Sequence, residues 1–325
     1  MRLVTYEAEG RLRPGIWVGG SVVDAYAAGR EAGIWSDDNH DGSPEDLLSS
    51  RRVLGLDKER LRTLEAAADG LVSRGADGAS GVFAAEDVVL GPPVPDPEKI
   101  ICLGLNYKEH AAEASLEAPA APMLFAKFRN SLVGQGAPIV LPRASEKVDY
   151  EGELAVVIGR RCKEVAQDDA LDYVAGYMPF NDVSARDLQL QTSQWMAGKA
   201  IDTFAPCGPA LVSADEIEDV QALELRTRVN GETVQRTNTS MMIFSVRETI
   251  AFISKLMTLE PGDIIATGTP SGVGFKRNPP LLLGEGDIVE VEIEGLGVLH
   301  NPVVGPDGLR GGAESQSANV EQKQA

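Results

Sequence analysis

The sequence predicts an α+β, β-rich fold, with one larger β-rich domain preceded by a smaller N-terminal α+β domain. Three observations carry this expectation. Short apolar or alternating runs, KIICLGL, ELAVVIG, YVAGYMPF, LRTRVNG, DIIATG and DIVEVEIEG, recur between glycine and proline turns, as strands do. Few helical patterns interrupt them, the clearest being SVRETIAFISKLM, so the regular strand-helix alternation of a doubly wound sheet is missing. The chain also has 325 residues, more than one ordinary domain needs, and carries a proline-rich stretch, GPPVPDPEK, where a boundary would fall.

In chain order, LVTYEA and GIWVGG alternate and are joined by EGRLRPG, which reads as a β-hairpin. KERLRTLEAAADGLVSRG then has apolar residues at helical spacing. The boundary is placed between Pro92 and Lys99, giving residues 1–95 to the small domain and 96–304 to the larger one. Residues 305–325 are polar, lack apolar spacing and read as a disordered tail. No internal repeat is evident.

A formal net charge of -19 repels nucleic acid and anionic lipid, whose binding needs clustered lysine and arginine. A small anion is still admissible, because a bound metal and one or two cations can reverse the potential inside a single cleft. Cys102, Cys162 and Cys207 are too few and too scattered for a disulfide framework or a four-cysteine zinc site. The N-terminus lacks the apolar core of a signal peptide, and no apolar run is long enough to cross a bilayer. These features together predict a cytoplasmic protein without membrane or nucleic-acid partners.

The chemistry gathers in acidic segments. In DYEGELAVVIG, Glu151 and Glu153 are one residue apart, so a strand of period two turns both carboxylates to one face. The LAVVI run beyond them predicts burial, where two like charges are costly unless a cation compensates. YVAGYMPFNDVSARDLQ ends an apolar strand at Asn181 and Asp182 and runs into a short helix, so Asp182 stands at a strand terminus suited to a third ligand. Three carboxylates with open positions suit magnesium or manganese. Spacing alone leaves the alternative open that the glutamates form an exposed strand face and Asp182 an N-cap.

GLNYKEHAAEA, DYEGELAVVIGRRC, GYMPFNDVSARDLQ, QWMAGKAIDTFAPCGP, VNGETVQRTNTSMMIFS and LEPGDIIATGTPSGVG, in this order from about Lys99 to Pro302, resemble the motifs of the fumarylacetoacetate hydrolase family. The resemblance implies a mixed β-sandwich roll that works as a homodimer, with Glu151, Glu153 and Asp182 binding Mg2+ or Mn2+. It also implies a dyad of His110 and Glu113, whose spacing of three places them on one helical face. Lys199 matches the family lysine that faces the metal site. Tyr107, Arg186, Gln189 and Thr269 match positions that contact an oxo acid or order the site; read without the family, Arg186 could simply pair with an acidic neighbour such as Asp182 or Asp187.

Two departures fall near the segments that shape the pocket: Leu105 stands where many members have arginine, and Lys127-Phe128 where many have Lys-Pro. His40 and His300 match no family site and read as structural or surface residues. The activity implied is metal-dependent hydrolysis of the C–C bond in a 2,4-dioxo acid, giving pyruvate and a carboxylic acid, with His110 activating water. Oxaloacetate decarboxylation and dienedioate isomerisation or decarboxylation are the alternatives on the same site. A non-catalytic β-rich binding protein would have no use for the dyad and lysine together. A dinucleotide enzyme is disfavoured because GVGFKRN is not a full glycine fingerprint.

Overall fold

The computed structural model describes residues 1–35, 49–75, 77, 81–113 and 119–308. His40 and nearly all of the tail expected to be disordered lie outside them. The chain opens with an antiparallel meander of β1 (Arg2–Ala8), β2 (Arg11–Val18) and β3 (Ser21–Asp24). Ala8 pairs with Arg11, so the hairpin turn is only Glu9-Gly10, and the residues expected to extend it, Arg11 to Pro14, already belong to β2. Both turn residues have positive φ, +53° and +72°, the backbone twist that two-residue hairpins favour.

Three helices follow, α1 (Ala25–Glu31), α2 (Ser50–Leu54) and α3 (Lys58–Ser73). Asp57 caps α3 by accepting from the Arg60 amide, and Leu64, Ala68 and Leu71 form its buried stripe. Strands β4 (Val82–Ala84) and β5 (Leu90–Gly91) complete this region.

The remaining elements are β6 (Ile100–Gly104), α4 (Lys108–Glu113), β7 (Met123–Lys127), β8 (Leu132–Val133), β9 (Ile139–Val140), β10 (Val148–Asp149), β11 (Gly152–Ile158) and β12 (Val174–Asn181). Then come β13 (Ser184–Ala185), α5 (Arg186–Gln189), α6 (Met196–Lys199), β14 (Ala205–Pro206), β15 (Leu211–Ser213), β16 (Glu224–Val229) and β17 (Glu232–Asn238). The chain continues with α7 (Val246–Leu256), β18 (Ile264–Ala266), β19 (Ile288–Ile293) and β20 (Gly297–Val304). Helix α7 carries the Ser245–Glu248 capping box.

Among the described residues the main sheet runs β4-β3-β2-β1-β15-β12-β11-β18-β6-β7, and a second runs β17-β16-β19-β20-β9. The N-terminal strands join the main sheet through antiparallel pairing of β1 with β15.

Strand β11 is buried along its whole length. Leu154, Val156 and Ile158 pack with Leu225, Val291, Ile293 and Leu299 of the second sheet, which makes the sandwich. Ala155 and Val157 face the other way, into a core shared with Leu3, Ile16, Leu64, Met178 and Phe180. Burial on both faces is why this strand reads as a continuous apolar run rather than an alternating one. The fold is thus the expected α+β, β-rich roll.

Candidate metal centre and active site

The register of β11 and β12 builds the acidic cluster. Gly152 pairs with Asn181, which sets Glu151, just before β11, beside Asp182, just after β12, and the Asp182 amide donates to the Glu151 carbonyl at 2.8 Å. Glu153 lies two residues on, inside β11. One oxygen from each of the three carboxylates falls within 4.8 Å of the others, and all three residues are buried. The exposed-face alternative therefore does not hold. Nor does the N-cap: Ala185 precedes α5.

Cations surround this cluster unevenly. Lys199 Nζ donates to Glu151 Oε2 and Asp182 Oδ2, each at 2.7 Å, from a fully buried position. Arg186 Nη1 reaches Glu151 Oε1 at 2.7 Å, while its Nε and Nη2 hold Asp149 Oδ2 at 2.8 and 2.7 Å. Arg186 thus pairs with acidic neighbours, Asp149 and Glu151, while Asp187 is engaged by the Ser145 hydroxyl and the Glu146 amide and Asp182 by the two lysines. Lys127 Nζ stands 2.8 Å from Asp182 Oδ1 and donates to the carbonyls of Val183, Lys199 and Phe204. These neighbours are all acceptors, the surroundings of an ammonium.

Glu153 is left over. Its Oε2 accepts from the Gly268 amide at 2.8 Å, and its Oε1 is buried without a partner. Burial, and then the charges of Asp182 and Glu151, push the Glu153 carboxyl well above the usual range. Glu151 goes the opposite way: burial alone would raise it, but Lys199 and Arg186 hold it well below that range. Lys127, Arg186 and Lys199 thus pair with Asp149, Glu151 and Asp182, and Glu153 is the one carboxyl of the four without a cation. A divalent ion fits the carboxyl left without a cation, its orphaned oxygen and the all-oxygen donor set.

A cavity of about 180 Å³ opens beside Glu151. His110, Arg186, Gln189, Lys199 and Thr269 line its polar part, and Leu105, Phe125, Leu190, Trp195 and Phe275 its apolar part. His110 Nδ1 lies 3.3 Å from Glu113 Oε2, and the Glu113 carboxylate accepts from the Gly272 amide at 3.1 and 3.2 Å. Burial would raise Glu113, but His110 and that amide hold it below the usual carboxylate value. Gln189 accepts from Arg186 Nη1 at 3.0 Å. The Thr269 hydroxyl donates to the Gly152 carbonyl and accepts from Gln235, each at 2.9 Å.

Tyr107 is not brought to the cavity wall; its hydroxyl is buried without a partner, and burial and then Glu153 push the phenol up. Of the departures, Leu105 lines the cavity with φ of +55°, whereas Phe128 is exposed. His300 sits on β20, opposite Glu290, away from the cavity. A larger cleft of about 980 Å³ between α2–α3 and the β11–β12 turn contains none of the predicted site residues.

Sequence reasoning missed the supporting roles of Asp149, Lys127 and Gln235. Asp149 holds Arg186 and accepts from the Gly274 and Phe275 amides at 2.8 and 3.0 Å; its place two residues before Glu151 was a usable signal. Gln235 accepts from the Gly152 amide at 2.9 Å, a role its alternating strand does not announce.

The family model for the C-terminal domain of fumarylacetoacetate hydrolase matches residues 99–304. The mitochondrial oxaloacetate tautomerase of Xenopus laevis is 40% identical over 310 residues, covering 94% of this chain and 90% of its own. The human mitochondrial oxaloacetate tautomerase is 47% identical over 225 residues, 69% of this chain and 72% of its own. Among solved structures, maleylpyruvate hydrolase from Sphingobium sp. SYK-6, in complex with manganese(II) and pyruvate, superposes with a TM-score of 0.72 at 30% identity, covering 94% of this chain and 99% of its own. Fumarylacetoacetate hydrolase from Exiguobacterium antarcticum gives 0.74 at 34% identity, with the same coverage.

These relatives correct the expected location. The tautomerases of Xenopus, rat, human and cattle are named as mitochondrial, so the cytoplasmic expectation does not stand. Its physical basis was too weak: three scattered cysteines and no membrane-length apolar run describe a mitochondrial enzyme equally well. The six ordered motifs, the sandwich roll, the buried carboxylate cluster and the family match over residues 99–304 have one conclusion: this chain belongs to the fumarylacetoacetate hydrolase family.

Proposed function

We propose that this chain is a divalent-metal-dependent enzyme that interconverts the keto and enol forms of a small 2-oxo dicarboxylic acid of the oxaloacetate type. The carrying observation is the cavity, which brings one imidazole, His110, together with Lys199, Arg186 and Glu151 in about 180 Å³. That is below the roughly 300–1,000 Å³ of sites for drug-sized ligands and favours a substrate of few carbons. The likeness to oxaloacetate tautomerase over nearly the whole chain supports the same reading.

Going from enol to keto, a proton leaves the C2 hydroxyl and one is delivered to C3. His110, kept in place by Glu113, is the group suited to carry a proton at C3. Lys199 and Arg186, on the same wall, hold Glu151 and Asp182 in place beside the substrate's charged end. Glu151, Glu153 and Asp182 would hold Mg2+ or Mn2+, which when bound supplies Lewis acidity toward the substrate oxygen. Hydrolysis of a 2,4-dioxo acid is the second reading, favoured by the same dyad, which could draw a proton from water instead.

The test follows loss of the enol's ultraviolet absorbance and release of pyruvate in parallel, from oxaloacetate and from acylpyruvates. Mg2+ or Mn2+ is supplied and then chelated, with protein-free controls, for wild type and Glu151→Ala. Metal-dependent loss of the enol that vanishes in the variant is expected. Pyruvate released from acylpyruvates with no effect on the enol would return the hydrolytic reading. No metal-dependent turnover of either would remove both.

A further inference from the structure

We propose that Lys127 is a positioning residue for the metal centre: a buried ammonium that locks Asp182 and the segment bearing Lys199 into the geometry that receives the ion. The proposal rests on the reading of Glu151, Glu153 and Asp182 as metal ligands. Lys127 ends β7, at the edge of the main sheet, with its side chain wholly removed from water. A lysine at such a place ordinarily turns its head to solvent. This one turns inward and meets oxygen from three segments.

The side-chain contact is Asp182 Oδ1 at 2.8 Å, and the backbone contacts are Val183 at 3.0 Å, Phe204 at 2.7 Å and the carbonyl of Lys199. Asp182 is therefore flanked on both sides, by Lys127 in an ion pair at Oδ1 and by Lys199 in a hydrogen bond at Oδ2. Lys127 also takes the backbone carbonyl of the very lysine whose ammonium bridges Glu151 and Asp182. One side chain thus fixes a carboxylate and the origin of its counter-charge. Lys127 is absent from the cavity wall, so it acts through these residues and not on a substrate.

Charge and geometry predict opposite signs when Lys127 is changed. Removing a positive charge beside a cation site tightens ion binding if charge is all that Lys127 contributes. Losing the partner that orients a ligand weakens it, typically by about 10–100-fold. The experiment measures Mn2+ affinity of the purified protein from the free-ion electron paramagnetic resonance signal, with thermal melting of the metal-free protein alongside, for wild type, Lys127→Met, Asp182→Asn and the double variant.

The expected result is a Kd at least about tenfold higher for Lys127→Met, and no further weakening when the same change is made on Asp182→Asn. Should Lys127→Met not fold, Lys127→Arg carries the test, since it keeps the charge but displaces the donor; its Kd must rise similarly. Unchanged or tighter binding in a folded Lys127 variant, whatever its melting temperature, overturns the proposal while leaving the metal reading intact. Wild-type protein that takes up no Mn2+ overturns both.

Discussion

Lys199 shows how much of the site depends on single side chains. Its ammonium bridges Glu151 and Asp182 out of reach of water, so its removal leaves two buried carboxylates without their shared partner. Breaking a buried ion pair in this way costs about 3–5 kcal/mol. Lys199→Met should therefore lower the unfolding free energy of metal-free protein by that order in a denaturant titration, and saturating Mn2+ should restore part of it. A loss below about 1 kcal/mol, the worth of a surface pair, would contradict this account. At this scale the sequence was legible where chemistry follows chain spacing: Glu151 and Glu153 share a face because strands have period two, and His110 and Glu113 meet because helices bring i and i+3 together. It was not legible where partners come from distant segments. Arg186 finds Asp149 across the pairing of β10 with β13, and Lys127 finds Asp182 across 55 residues of chain that no local pattern links.

Among the described residues, helix α4 is held to the rest of the site by the bonds from the Gly272 amide to Glu113 and from the Ser271 hydroxyl to Glu109. The folded-state pKa of Glu113 lies below its unfolded value, so this docking is fully present at neutral pH. It is lost as pH falls from about 4.3, the ordinary glutamate value, through the depressed one. The Gly272 amide resonance should move over that range in wild type and not in Glu113→Gln. A Gly272 resonance that stays put until the whole protein unfolds would show that the bond does not hold α4. Elements themselves were well legible: α3, α7, β6, β11, β12 and β19 all lie where periodicity and turn residues placed them. The hairpin was less so, since Arg13 and Pro14 look like turn residues but sit in β2, and the true turn is set by left-handed conformations at Glu9 and Gly10.

At the scale of the molecule, several of the large apolar side chains exposed among the described residues lie on and beside β7, α5 and α6, among them Met123, Phe128, Leu190 and Met196. The homodimer that family resemblance implies is an expectation that these side chains can be used to test. Sedimentation velocity at micromolar protein should give a dimer, and Leu190→Asp combined with Met196→Asp should shift it to monomer; monomeric wild type would dismiss the expectation. The family match begins at Lys99, yet the hydrogen-bonded sheet does not, because β1 pairs with β15 and the N-terminal strands carry the sheet on to β4. Local sequence pattern could not show this, since strand pairing over two hundred residues leaves no local mark. The ribbon of β1 to β4 consequently serves as an edge guard. Without it, β15 would present open backbone donors and acceptors flanked by Leu211 and Val212, a template on which other chains could stack. The strands that lie outside the family domain are, for solubility, the cover that keeps its sheet from propagating.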